Sequence, residues 1–384
     1  GFAIAGGLSG AIMSMVGFNS GAETQPEGAI EGLRAFFSGL PIVGTLIAMY
    51  VMRDYDVTEE RAGEIRAELD KIQSTPKSSS YYQTDKLLSF TEIELNTYSK
   101  FDIDFSNKTS IDIKKLFSDS LGSGLHGLCF SPYAEGQNIG DTLSESQIRK
   151  RMDVVTNHTK WVRSFSCTDG NELIPKLARE NDLKTMVGAW IGVDKAKNDK
   201  EIEKLISLAN QGLVDIAVVG NEVLHRNDLP EQDILNYISR VKEALPNIQV
   251  GYVDTYYQFL ERPRLIDACD VVLVNCYPFW EGCSIEQASI YLKKMYELTK
   301  SAAKGKQVII TETGWPNRGD NTKDAHPSDI NAMKYFLNTN NWTKEENIEM
   351  FYFSSFDELW KIHHEGDVGA NWGIWDKNEK LKYK

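Results

Sequence analysis

The sequence has no cluster of lysine and arginine: its 55 acidic residues outnumber 42 basic ones, for a net charge of −13. Neutralising phosphates needs clustered cations, so no nucleic-acid partner is expected, and neither is an anionic surface. Cysteine is scarce and unpatterned. Cys129, Cys167, Cys269, Cys276 and Cys283 are odd in number and form no CxxC pair, and four of them lie in or beside apolar runs. They read as small core residues in a reducing compartment. Metal-binding patterns are missing as well: His363 and His364 are adjacent, which sends their rings to divergent faces, and there is no HxxxH or calcium-type acidic loop. The pair reads as a solvated loop. No Ser-His-Asp order, phosphate loop or GxGxxG turn appears, so neither a metal nor a cofactor is expected. The sequons at Asn107, Asn157 and Asn341 are short patterns that chance produces and carry no weight.

Charge is also lacking over two long apolar runs. "GFAIAGGLSGAIMSMVGF" opens the sequence without an initiator methionine, and "AFFSGLPIVGTLIAMYVM" fills residues 35 to 52. Each comes close to the roughly 20 residues of a membrane-spanning helix and exceeds the about 7 to 15 of a signal-peptide core. They read as two transmembrane helices within residues 1–54, with Gly6 and Gly10 forming a GxxxG and Arg34 and Arg53 framing the second. Two buried helices of a soluble domain are the other reading. Arg53, Arg61, Arg66 and Lys71 come after the second run, whereas the loop before it has only Arg34, which puts the rest of the chain in the cytoplasm. Residues 57–72 read as a charged amphipathic helix and "STPKSSSYYQTD" as a polar linker, giving a connecting region over 55–120. On the loop "GAETQPEGAIEGLRAFFSGLP" and the tail "EERAGEIRAELDKI", the first 75 or so residues resemble the last two transmembrane helices of the glycoside-pentoside-hexuronide cation symporters, the melibiose-permease type. That resemblance implies part of a longer fusion, attached through residues 1–54 to the inner membrane of a bacterium, with the remainder on the cytoplasmic side.

From 121 to 384 the pattern changes. Eight short apolar runs ("LHGLCFSPY", "TKWVRSFSC", "LKTMVGAWI", "VDIAVVGNE", "IQVGYVDTY", "DVVLVNCYP", "KQVIITETG", "IEMFYFSSFDE") alternate with helical patterns such as "SESQIRKRMDVVTN" and "DKEIEKLISLANQG". That is the size and rhythm of a (β/α)8 TIM barrel, an α/β fold; a doubly wound sheet is the runner-up. After the eighth run no closing helix remains, "WGIWDKNEKLKYK" reads as a hairpin, and "SIDIKKLFSDSLG" at 110–122 is expected to cover the seam between strands eight and one.

In such barrels the chemistry sits where strands end. Strand four ends Gly220-Asn221-Glu222, strand seven ends Thr311-Glu312-Thr313-Gly314-Trp315-Pro316, and strand eight runs into Asp357-Glu358 with Lys361 nearby. One strand-end glutamate alone can be a helix cap or an ion-pair member. Two of them, on strands four and seven, can reach across the mouth from opposite sides, as glycosidic cleavage requires of its acid and its nucleophile. Tyr133, Trp190, Tyr256, Tyr277, Phe279, Trp315 and Trp360 fall at or just past strand ends, where rings stack on the apolar faces of sugars, while Asn221 and Lys361 suit hydroxyls.

The stretches "GLCFSPYAEGQ", "VRSFSCTDG", "VVGNEV", "TETGWP", "SFDELWK" and "WGIWD" resemble family 17 glycoside hydrolases, the β-1,3-glucanase family. The resemblance implies a retaining hydrolase acting on β-1,3-glucan oligosaccharides, with Glu222 the acid/base and Glu312 the nucleophile. It makes Glu358 and Lys361 a supporting pair, places Asn221 on the sugar 2-hydroxyl and Arg163 beside the nucleophile, and sets Tyr133, Tyr277 and Phe279 along the cleft. Relatives commonly carry another acidic residue just before the final Trp-Gly. Here Gly369, Ala370 and Asn371 stand there, with Glu365 and Asp367 further back, which leaves a fourth carboxylate open. Transglycosylases of the family share the same pair, and a catalytically silent sugar-binding domain attached to the carrier is the rival of another class.

Overall fold

The computed structural model describes residues 97–384, together with positions 28, 31, 32, 34 and 35. Among the described residues no helix is long and apolar enough to cross a membrane. The two expected spans, the amphipathic helix at 57–72 and the linker after it lie outside them, apart from those few positions.

Eight parallel strands close on themselves in sequence order: β1 (Leu125–Cys129), β2 (Thr159–Ser164), β3 (Lys184–Ala189), β4 (Ile216–Asn221), β5 (Gln249–Thr255), β6 (Val272–Asn275), β7 (Val308–Thr313) and β8 (Met350–Tyr352). The expected (β/α)8 barrel is present. β4, β6 and the start of β7 are nearly continuous Val, Ile, Leu and Ala because both faces are covered, by the barrel interior and by helices. β8 has only three residues, yet it closes the ring through Gly127 opposite Phe351 and Leu128 opposite Tyr352.

The helices are α1 (Ser110–Gly122), α2 (Glu145–Val155), α3 (Leu173–Glu180), α4 (Lys195–Asn210), α5 (Glu231–Ala244), α6 (Tyr256–Glu261), α7 (Pro263–Ala268), α8 (Pro278–Glu281), α9 (Ile285–Ala302), α10 (Asp329–Glu345) and α11 (Ile362–Glu365). Side-chain caps start several of them. Ser144 accepts from Gln147 N–H, Ser328 from Asn331 N–H, and Thr109 forms a reciprocal capping box with Asp112. No long helix follows β8. Instead α1 packs on α10, with Phe117 against Phe336 (centroids 4.7 Å apart) and Phe336 against Tyr352 of β8, so α1 takes the place of the absent eighth helix, as expected. The C-terminal hairpin shrinks to one antiparallel bridge, Trp375 to Leu381.

The barrel unit reaches further back than residue 121. Asp102 pairs with Lys293 of α9 at 2.7 Å and accepts from the Ser289 hydroxyl, Ile103 N–H donates to Asn338, and Asn341 donates to the Phe101 carbonyl. All five cysteines are buried free thiols.

Candidate active site

β4 is apolar until Gly220, and its last turn is not ordinary strand. Gly220 has φ +85°, and a Cβ there would sit 2.8 Å from Val223. The register with β5 shifts between Val218 and Asn221, and Glu222 itself takes φ +52°, a left-handed conformation that non-glycine residues adopt at some cost. This turn brings the Glu222 side chain over the barrel mouth, and its N–H donates to the Val253 carbonyl at 2.8 Å.

Glu312, on β7, is buried and accepts three hydrogen bonds. Arg163 Nη1 on β2 donates to Oε1 at 2.6 Å, Asn275 Nδ2 on β6 donates to the same oxygen at 3.0 Å, and the Tyr277 hydroxyl donates to Oε2 at 2.7 Å. The Arg163 guanidinium is itself buried, lies 4.2 Å from the centroid of the Phe165 ring, and donates through Nη2 to Asn221 Oδ1 at 2.7 Å. Strands two, four, six and seven are thereby joined through one network.

Asn275 links the two glutamates. Its Nδ2 also donates to Glu222 Oε1 at 2.8 Å, and its Oδ1 accepts from the Thr311 hydroxyl. The two acceptor oxygens cannot be farther apart than these two bond lengths laid end to end. Carboxyls whose nearest oxygens share one amide donor suit the roughly 5 to 5.5 Å separation of retaining glycosidases. Burial, then the charges of Glu312 and Asp254, push the Glu222 carboxyl up to about 8, against the opposing pull of Asn275 and Arg226. One carboxyl therefore keeps its proton at neutral pH while its neighbour is surrounded by donors, as an acid and nucleophile require.

Glu358 and Lys361 are both buried and pair at 3.1 Å, with Lys361 Nζ 4.0 Å from the centre of the Phe353 ring. Tyr133 is buried at the cleft edge, its ring 6.0 Å edge-on from Trp360, its hydroxyl accepting from Asn171. The buried Nε1 of Trp360 has no partner among the described residues. Tyr277 adjoins Trp372 and Phe353.

Two expected sugar contacts need correction. Phe279 has 0% of its surface exposed and Trp315 1%, packed edge to face at 5.2 Å, and the Trp315 N–H is taken by the His326 carbonyl. Rings so enclosed support the wall formed by Trp372 and Trp280 and offer no face to a ligand. Tyr256 is likewise buried, and one face of Trp190 is taken by the Arg226 guanidinium at 4.5 Å.

Of the two acids further back, Glu365 is half-buried. Burial pushes the Glu365 carboxyl up, with Lys361 opposing and Glu312 and Glu358 adding to the shift. Gly369 could not host an acid, because a Cβ there would meet Glu365 Cβ and the Lys361 carbonyl at 2.8 Å. Asn275 and Trp372 also escaped the sequence reading. Asn275 carried a visible signal: it breaks the apolar run "DVVLVN" at a strand end, as Asn221 does in β4.

A family model for the BtgE/BtgC glycoside hydrolase domain matches residues 127–373, more than half of the chain. A glucan 1,3-beta-glucosidase of Arthroderma benhamiae is 28% identical over 64% of this chain and 85% of that protein. One from Saccharomyces cerevisiae is 25% identical over 70% and 93%. The crystal structure of a family 17 β-1,3-glucanosyltransferase from Rhizomucor miehei is 29% identical, with a TM-score of 0.61 over 68% of this chain and 96% of that one, and its active-site mutant has been crystallised with laminaritriose. With a closed eight-stranded barrel and two glutamates meeting at its mouth, the chain belongs to the BtgE/BtgC glycoside hydrolase family.

Proposed function

We propose that the protein is a retaining glycoside hydrolase that cleaves β-1,3-linked glucan or its oligosaccharides by double displacement. The observation that carries this reading is the single Asn275 nitrogen bonded to both Glu222 and Glu312, which holds the two carboxyls close together, as a retaining mechanism needs. Glu222 gives its proton to the glycosidic oxygen as the Glu312 carboxylate attacks the anomeric carbon and the C–O bond breaks. Glu222, now a carboxylate, takes a proton from the incoming hydroxyl, whose oxygen displaces Glu312. Asn221, held by Arg163, faces the 2-hydroxyl, and Tyr133, Tyr277, Glu358 and Lys361 line the cleft. The linkage comes from the A. benhamiae and S. cerevisiae relatives, both glucan 1,3-beta-glucosidases. No cofactor enters the mechanism.

The experiment is to incubate the protein with laminari-oligosaccharides, resolve the products, and follow the first anomer by NMR. A β anomer is expected; an initial α anomer overturns the mechanism. Transfer is the second reading, favoured by the likeness to the R. miehei glucanosyltransferase, and longer products would reveal it. Absence of turnover would leave the sugar-binding domain.

The apolar runs within residues 1–54 are proposed as two membrane helices of the symporter type, with the barrel on the cytoplasmic side of a bacterial inner membrane. The four cations at Arg53, Arg61, Arg66 and Lys71 support that orientation. Protease added to intact spheroplasts should then spare the barrel and cut it only after lysis.

A further inference from the structure

On β5, Tyr252 and Asp254 are spaced to share a face, and each has 0% of its surface exposed. Their partners lie in the turn that carries Glu222. Asp254 Oδ2 accepts the Leu224 N–H at 3.2 Å and the Tyr252 hydroxyl, while the Tyr252 oxygen accepts the same N–H at 3.0 Å. Asp254 Oδ1 accepts the Thr255 N–H at 2.8 Å. The left-handed turn at Glu222 takes Leu224 N–H out of the strand ladder, and a buried donor left without an acceptor costs about 1 to 3 kcal/mol. Asp254 and Tyr252 supply that acceptor, two residues beyond the catalytic glutamate.

The charged surroundings of Asp254 are one-sided. Glu222 faces it from the end of β4, Tyr257 from α6 and Tyr252 from its own strand. His225, in the same turn, donates its backbone N–H to Asp254 and meets the Tyr257 hydroxyl through Nδ1 at 2.5 Å, and nearby Arg226 is held by Asp228 at 2.7 Å, by the Ile191 carbonyl at 2.9 Å and by the Asn221 carbonyl. Arg226 is thus committed to tying the ends of β3 and β4 and forms no ion pair with Asp254.

We propose that Asp254, seated with Tyr252, is a positioning residue for Glu222: a buried anion that anchors the turn carrying Glu222 and acts on that carboxyl through space. The inference rests on Glu222 being the proton donor. Burial pushes the Asp254 carboxyl up to about 6, opposed by its bonds from Tyr252 and from backbone N–H groups, so it is ionised at neutral pH. An ionised Asp254 raises the energy of ionised Glu222, so the donor keeps its proton to higher pH. Replacing that charge with a neutral group should let Glu222 ionise at lower pH.

The test compares the full chain with Asp254→Asn, Tyr252→Phe and Glu222→Gln. It records kcat/KM against pH on a laminari-oligosaccharide and on an aryl β-glucoside with a good leaving group. Asp254→Asn is expected to move the alkaline limb down by about one pH unit, with about fivefold loss at pH 8 on the oligosaccharide, rising toward about tenfold above it, and a smaller loss on the aryl substrate. Tyr252→Phe keeps the charge, so it should lower the rate while leaving the limb in place. A folded Asp254→Asn with an unmoved limb, or a Tyr252→Phe limb displaced as far, overturns the inference. If Asp254→Asn does not fold, a carbon-13 carboxyl titration of the unmodified protein decides, with the Glu222 signal assigned by its loss in Glu222→Gln. That signal should titrate near 8 and respond again near 6 as Asp254 ionises, and a single step overturns the coupling. Full oligosaccharide activity in Glu222→Gln would instead sink the reading of Glu222 as donor.

Discussion

Glu222 and Glu312 accept hydrogen bonds from one and the same nitrogen, Nδ2 of Asn275, at 2.8 and 3.0 Å. An amide at the end of β6 therefore sets the gap between two carboxyls that come from β4 and β7. Replacing it should damage both roles together. Asn275→Ala is expected to lower kcat by about 10- to 100-fold, since misplacing reacting groups by an ångström is enough to do so. Steady-state rates with unchanged product stereochemistry would check this; a wild-type kcat would remove Asn275 from the site.

Glu222→Ala and Glu312→Ala should each lower oligosaccharide turnover by about two to four orders of magnitude or more without unfolding the barrel. Only the first should regain activity on substrates whose leaving group departs without a proton. Equal losses for both variants on activated and natural substrates would contradict the assigned roles.

Activity should fall as pH rises through about 8, where Glu222 loses its proton. Stability carries the same sign. Because folding raises this carboxyl above its ordinary value near 4.5, its contribution is most favourable below that value and is lost as pH climbs to about 8. Glu222→Gln removes this penalty, so its thermal midpoint should exceed that of the parent at pH 8 and match it near pH 4. A gain confined to acid pH would mean the shift has the opposite direction.

Arg163→Met keeps the volume and removes the guanidinium, leaving Glu312 buried with two neutral donors. Loss of one partner of a buried pair costs about 3 to 5 kcal/mol. Denaturant unfolding of the variant should show that loss, along with inactivity.

Phe279→Ala tests the corrected role of that ring. Because it fills space behind Trp372, truncation should cost about 3 to 5 kcal/mol of stability, well beyond what loss of an exposed platform would cost. An unchanged midpoint with a raised KM would restore it to the cleft lining.

Strand ends were the legible part of the sequence. A run such as "DIAVVGNE" must stop being apolar where the barrel opens, so Glu222 and Glu312 stood out as charges at the termini of otherwise buried segments. Asn275 sits in the same kind of place, but an uncharged amide suggests no chemistry until its two partners are seen. Tyr252 and Asp254 were hidden by length: the polar residues of "GYVDT" lie inside the strand, where spacing alone does not tell a core network from a surface face. Phe279 and Trp315 show the opposite limit. An aromatic at a strand end can face the cleft or the wall behind it, and for Phe279 the difference depends on Trp372, more than ninety residues further along. Residues 97–120 looked like connector because "FDIDFSNKTS" is polar, yet its acids and carbonyls serve the flanks of α9 and α10.

The clasp between Asp102 and Lys293 governs how the catalytic part can be cut free. Lys293 is buried on α9, with 2% of its surface exposed, and its ammonium is satisfied by Asp102 and the Tyr98 carbonyl alone among the bonds seen. Trimming the chain to begin at 121 would strip away both and strand a positive charge against the ring of Trp342 on the outside of the barrel. A recombinant enzyme that starts upstream of Tyr98 should express as a well-behaved fold, whereas one cut at the first strand carries a lesion far from its catalytic mouth.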